Sequence, residues 1–346
     1  MTNRPPRYLI VLLGSIGDVV RAIPLATRIK KHVPGVQLSW AIEPKSRGIL
    51  DGHDAIDELI VFERSKGLPE FVRFLHTLRS KQFDVVLDLQ RHFKSGITSL
   101  STRAPRRIGF HRRNAKEFNW LFNSERIASF SDSLPKIAHY QKFGDLLGLP
   151  AASLLDFGSM YSPGDLDRAR ALIADRFAST GRPKAGIIVG SSWPSKDWPE
   201  ERIVELAQRL SPTHDSVLIG GPAERERAEA IAAREPKTTV SLAGETSLRE
   251  LAALLSLCHV VVGCDSGPMH IAAAVGTPVI SLWGPTSPIR SGPYKNESLV
   301  LQSSIGCAPC NRRTCPGLEK LCMFDIPVDA VLAQLSVITH SRESRP

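Results

Sequence analysis

The 346 residues, 42% hydrophobic and 23% charged, fit a globular chain long enough for two domains rather than one. No apolar run approaches the roughly 18–20 residues of a membrane span, and the apolar stretch of the opening MTNRPPRYLIVLLG is too short for a secretion signal. The expectation is a cytoplasmic protein that at most lies against a membrane, and its net charge of +9 is carried by one half: residues 1–150 hold 24 Lys and Arg against 14 Asp and Glu, the rest 20 against 21.

The first strand candidate, 8–13, runs into GSIGDVVRAIP (14–24), where two glycines suggest a phosphate-binding turn at the start of a helix. Asp18 contradicts that reading, because a carboxylate stands where a phosphate would meet backbone N–H groups. Further strands are expected at 37–42, 58–62 and 84–89, with a helix over 68–81. Residues 91–116 then carry eight Lys and Arg without one acid, so this half should attract an anionic partner. Nucleic acid is not expected, since aromatic residues are few and no binding motif accompanies the charge. An anionic lipid headgroup suits it. The rhythm stops over 148–165, which reads as a linker.

A second series opens with SPGDLDRARALIADRF, a helix with Ser162 as cap and Pro163 in its first turn. The D-x-D at 165–167 lies in that first turn, where capping and the helix dipole explain it. Strands are expected at 185–190, 215–220, 238–242, 259–263 and 278–282. After the first of them, GSSWPSKDWPEE offers Ser191, Ser192 and the mobile cation Lys196 for a phosphate, although in isolation a solvated loop lysine is the better reading. After the second, Glu224 suits either ribose hydroxyls or a helix first turn. In VVVGCDSGPMHIAAAVG the strand ends at a turn of Asp265, Ser266 and Gly267, and a helix of small residues containing His270 follows. Such an amino end binds anions, while Asp265 either caps the helix or meets the ligand. No Walker loop and no complete G-x-G-x-x-G occurs.

Strands alternating with helices throughout imply an α/β fold of two doubly wound parallel sheets, with ligands at the carboxyl ends of the strands. The expected division is 1–155, 165–326, and a helix and tail at 327–346 available to pack back on the first domain. Cys307, Cys310, Cys315 and Cys322 form C-x2-C-x4-C-x6-C, compact enough for zinc or an iron–sulfur cluster, whereas Cys258 and Cys264 look like core residues.

Taken together, LIVLLGSIGDVVRAIPL, DVVLDLQRHFKSG, RRIGF, GSSWPSKDWP, GCDSGPMHIAAAVGTPVISLWGPT and CAPCNRRTCPGLEKLCM resemble glycosyltransferase family 9, the ADP-heptose:lipopolysaccharide heptosyltransferases. The resemblance implies a GT-B architecture of two Rossmann-like domains facing a central cleft. It implies an N-terminal domain that binds an anionic lipid A-core acceptor at the cytoplasmic face of the inner membrane, and a C-terminal domain that binds ADP-heptose. Asp18 falls on the family's catalytic aspartate, with Lys196 beside the leaving diphosphate. Lys94, Arg106 and Arg107 fall on positions near the acceptor. Neither a cofactor nor a catalytic metal is implied, and the cysteines would be structural. Two rivals stay open: a GT-B enzyme using another nucleotide sugar, and a non-catalytic nucleotide- or glycolipid-binding protein.

Overall fold

The computed structural model describes residues 4–177, 181–317 and 319–343; the end of the expected tail, 344–346, lies outside them. The chain divides into two compact units between Met160 and Tyr161, inside the segment read as a linker.

The first unit holds one six-stranded parallel sheet: β1 (Arg7–Val11), β2 (Gln37–Ile42), β3 (Glu58–Val61), β4 (Val85–Asp88), β5 (Arg106–Gly109) and β6 (Glu125–Arg126), in the order β3-β2-β1-β4-β5-β6. Leu9, Ile10, Val11, Val86 and Leu87 are all inaccessible, as expected of central strands covered on both faces. The helix Ile16–His32 follows β1, capped by Ser15, with Asp18 in its first turn and Lys30, Lys31 and His32 in its last, a distribution that matches the helix dipole at both ends.

The second unit repeats the plan with β7 (Lys184–Ile188), β8 (Asp215–Ile219), β9 (Thr239–Ser241), β10 (Val260–Cys264), β11 (Val279–Trp283) and β12 (Val300–Gln302), in the order β12-β11-β10-β7-β8-β9. Both sheets have the Rossmann strand order. In each, the order reverses between the first and fourth strands, β1/β4 and β7/β10, the point beyond whose carboxyl ends open α/β sheets bind ligands. Close approach at the second reversal needs a glycine: a Cβ on Gly263 of β10 would lie 2.7 Å from Ile188 Cβ of β7.

Nine expected strands are present, with ends shifted by at most two residues. The periodicity missed β5, β6 and β12, which lie at or next to a sheet edge and are only two to four residues long. The helix expected at 68–81 runs Gly67–Ser80. At Pro163–Arg176 the capping box is complete: Asp165 accepts from the Ser162 backbone at 2.7 Å and also pairs with Arg249, so D-x-D is a helix start. The final helix, Val328–Glu343, is seated in the second unit, because Val328, Val331, Leu335 and Ile338 belong to that unit's core.

Candidate active site

In the first unit the turn after β1 is held from two sides. Leu13 N donates to Gln90 Oε1, which comes from the loop after β4, at 2.7 Å, and Ser46 Oγ donates to the Gly14 carbonyl at 3.0 Å. Both loops of the β1/β4 reversal are thereby joined. Within the turn, Asp18 N reaches the Ser15 carbonyl at 3.0 Å and Ser15 Oγ donates to Asp18 Oδ2 at 3.0 Å. Asp18 Oδ1 lies 2.7 Å from Arg21 Nη2 and 3.1 Å from Lys136 Nζ. Burial alone would raise this carboxyl's pKa, but the Arg21 and Lys136 charges outweigh it and hold the group well below the usual carboxylate range. Asp18 is therefore a fixed, ionised carboxylate at the carboxyl edge of the first sheet.

Under that edge lies a buried polar network. Asp88, at the end of β4, accepts from Asn119 Nδ2 at 2.6 Å and from Gln90 N at 3.1 Å. Burial raises its pKa despite these donors. Arg21 was visible in the opening motif, one turn beyond Asp18; Lys136, Gln90 and Asn119 carried no sequence signal because chain distance separates them from their partners.

The three residues expected at the acceptor divide. Lys94 is exposed in the first turn of the helix Phe93–Ser101, which follows β4 at the same edge as Asp18. Arg106 and Arg107 open β5, at the amino edge of the parallel sheet, the opposite side from Asp18. Arg106 grips Glu125 with Nε at 2.7 Å and Nη2 at 2.9 Å, and Arg107 donates to the carbonyls of Ala104 and Phe122. Both are committed to tying β5 to the chain around β6.

In the second unit the expected donor residues gather at the β7/β10 reversal. Lys196 ends a short 3-10 turn and is not a solvated loop lysine: Nζ lies 2.7 Å from Asp265 Oδ2 and 4.4 Å from the Trp193 ring centre, with only 11% of the side chain exposed. Asp265 also accepts from Thr286 Oγ1 at 3.1 Å, so one carboxylate links the loops after β7, β10 and β11. Capping, the alternative for Asp265, is not what it does. Ser266 holds the N-cap position of Gly267–Ala274 without a side-chain cap bond, and its buried Oγ has no hydrogen-bond partner among the described residues. His270 is buried in the same helix. Ser191 Oγ is used within its own loop, 2.9 Å from Asp197 Oδ1, while Ser192 is exposed. Glu224 accepts from Gly221 N at 2.7 Å and lies across Gly190, where an added Cβ would come 2.6 Å from its Cγ.

The four clustered cysteines border a cavity of about 450 Å³ that Arg312 and Lys320 also line. None is in a disulfide, and no group of three or more His, Cys, Asp or Glu among the described residues is arranged to hold a metal ion. Burial, with the neighbouring cysteines, pushes the Cys322 thiol pKa up. Their loop buttresses the Lys196 turn, since Ser195 Oγ donates to the Arg312 carbonyl at 2.7 Å. Cys258 and Cys264 are core residues, their thiols pushed by burial up to about 12 and about 11.

The model of the family "Glycosyltransferase family 9 (heptosyltransferase)" matches residues 71–320. The chain belongs to glycosyltransferase family 9. This family 9 enzyme is 32% identical over 304 residues to a lipopolysaccharide core heptosyltransferase of Haemophilus influenzae, covering 87% of this chain and 85% of that one. It is 31% identical over 335 residues to lipopolysaccharide heptosyltransferase 1 of Pseudomonas aeruginosa, covering 92% and 91%. Among solved structures, a family 9 glycosyltransferase from Veillonella parvula superposes with a TM-score of 0.82 at 22% identity, over 96% of this chain and 97% of that one. An E. coli heptosyltransferase with ADP gives 0.74 at 24% identity, over 96% and 99%. At these identities the structural matches establish the two-sheet GT-B fold. The protein is a glycosyltransferase, and the non-catalytic rival is set aside.

Proposed function

We propose that the protein transfers heptose from ADP-heptose to the inner core of lipopolysaccharide, as an inverting, metal-independent reaction. Its relatives' names supply the sugar and the acceptor. The observation that carries the mechanism is Asp18, an immobilised carboxylate at the strand reversal of the first sheet, kept ionised by two cations. A carboxylate held this acidic is a weak base, so proton transfer comes late, when the acceptor hydroxyl has grown acidic through bonding to the sugar.

The second unit holds the donor. Charge building on the diphosphate is met by the amino end of Gly267–Ala274, by the Ser266 hydroxyl, which has no partner among the described residues, and by Lys196, for which the diphosphate competes with Asp265. Glu224 takes the ribose, and Ser191, Ser192 and His270 shape the surrounding pocket. Lys94 and the basic surface of the first unit face an acceptor rich in carboxylate and phosphate. No helix among the described residues is long and apolar enough to cross a membrane. Association with the cytoplasmic face of the inner membrane then rests on this charge, which would bring the enzyme to its lipid-anchored acceptor.

The test offers ADP-heptose, and UDP- and GDP-sugars in parallel, with a defined lipid A-core acceptor and identifies the product by mass spectrometry. Transfer from ADP-heptose alone is expected. Asp18→Asn should lower turnover by about 10³-fold or more with ADP affinity retained. Preference for another sugar nucleotide would replace the donor, and a fully active Asp18→Asn enzyme would remove the base.

A further inference from the structure

We propose that Lys136 is a positioning residue of the transfer reaction, anchoring one oxygen of Asp18 so that the other accepts the proton of the attacking hydroxyl. The inference rests on Asp18 being the base.

The two oxygens of Asp18 are not equivalent. Oδ1 takes both cations, Arg21 at 2.7 Å and Lys136 at 3.1 Å, whereas Oδ2 is met by Ser15 Oγ at 3.0 Å. Arg21 stands three residues along the same helix, so helical geometry alone delivers it. Lys136 is 118 residues away and is the first residue of another helix, Lys136–Leu146, which packs against Ile16–His32. For that helix the placement is unfavourable. A cation at an amino end opposes the helix dipole, and the first turn contains no acid to compensate. The charge that repays this cost is Asp18, so the position of Lys136 is explained by the carboxylate and not by its own helix.

The other groups around Asp18 leave this pair of cations in control. Tyr140, one turn beyond Lys136, is buried, and burial with the Asp18 charge pushes its hydroxyl pKa far up, so it stays neutral; Arg21 and Arg91 act on Tyr140 in the opposite sense. From the short helix Pro44–Arg47, Ser46 binds the Gly14 carbonyl, while Lys45 and Arg47 pair with Glu43 and Asp51. In the reaction, the hydroxyl proton passes to Asp18 Oδ2 as the hydroxyl oxygen bonds to the anomeric carbon. The bond from that carbon to the diphosphate oxygen breaks, and its electron pair leaves with ADP. With Oδ1 fixed, Oδ2 keeps its aim through this step.

Lys136→Met and Lys136→Arg are compared with the parent enzyme over a pH series, with unfolding midpoints measured alongside; Lys136→Gln substitutes if the methionine variant does not fold. Lys136→Met is expected to lower kcat about tenfold or more, with the donor KM within about twofold. The acid limb of its kcat/KM profile moves to higher pH, because a base that has lost a cation protonates more readily. Lys136→Arg restores both. An unchanged kcat and acid limb in Lys136→Met, or an arginine variant as impaired as the methionine one, overturns the proposal. Asp18→Asn in the same assay separates the two ideas. Retained turnover there defeats the reading of Asp18 as base, whereas abolished turnover beside a normal Lys136→Met enzyme defeats only the role of Lys136.

Discussion

Lys196 and Asp265 look in sequence like a phosphate-binding cation and a stray acid, yet they form one closely paired, mostly buried unit. Removing one member of such a pair leaves the other charge short of both water and partner, which costs about 3 kcal/mol. Lys196→Ala is therefore expected to lose about 3 kcal/mol of stability in denaturant unfolding and to weaken ADP binding measured by calorimetry. Adding Asp265→Ala should recover part of the stability but none of the ADP affinity. A single variant as stable as the parent would show that water screens the pair fully. Asp18 differs in kind: its paired cations act on a carboxylate that remains one-quarter exposed, so its charge stays available for chemistry.

At the scale of elements, loops at the two strand reversals carry the candidate chemistry, and buried polar groups beneath them fix those loops. The clearest case is the junction of β4 with the helix Phe93–Ser101, where Asn119 Nδ2 donates to Asp88, to the His92 carbonyl at 2.9 Å and to Ser95 Oγ at 3.2 Å. Asn119→Ala strips one donor, the Asn119 amide, from a fully buried carboxyl, at a cost of about 2–3 kcal/mol. The sign of the pH effect follows from the direction of the shift. Burial has raised the folded pKa of Asp88, so its ionised form costs stability, and this penalty is present at neutral pH and vanishes below the unfolded value. Loss of a donor harms the ionised form most. The gap between variant and parent unfolding free energies should be larger at neutral pH than in acid, and a gap independent of pH would mean that Asp88 is neutral throughout.

Across the whole molecule, the excess positive charge belongs to the first half of the chain, while the nearly neutral second half carries the residues proposed to bind the donor. Exposed charges act over about 10 Å at 0.1 M salt and over less at higher ionic strength. The acceptor KM should accordingly rise several-fold between about 0.05 and 0.3 M salt, with the ADP-heptose KM changing much less. Initial-rate measurements at fixed pH check this, and parallel changes in both constants would remove the division of labour by charge.

Local patterns announced most of the architecture, because apolar runs covered by helices on both faces carry their own signature: nine of twelve strands, the Ser162 capping box, and core thiols at Cys258 and Cys264. The strands β5, β6 and β12 escaped for want of an apolar run: β5 opens with two arginines, β6 is only Glu-Arg, and β12 has three residues, none of them buried. Asp18 stood out for a related reason, as a charge breaking an otherwise familiar turn. What folding alone settled was partnership. Arg106 and Arg107 lie in the most basic tract and invite an anion, but strand direction sends them to the edge of the sheet opposite Asp18, where Glu125 and backbone carbonyls engage them. Lys136 sits in an unremarkable helix start, and only helix packing brings it to Asp18. Charge and periodicity are properties of neighbouring residues and can be read along the chain, whereas ion pairs across a hundred residues depend on strand order and helix packing.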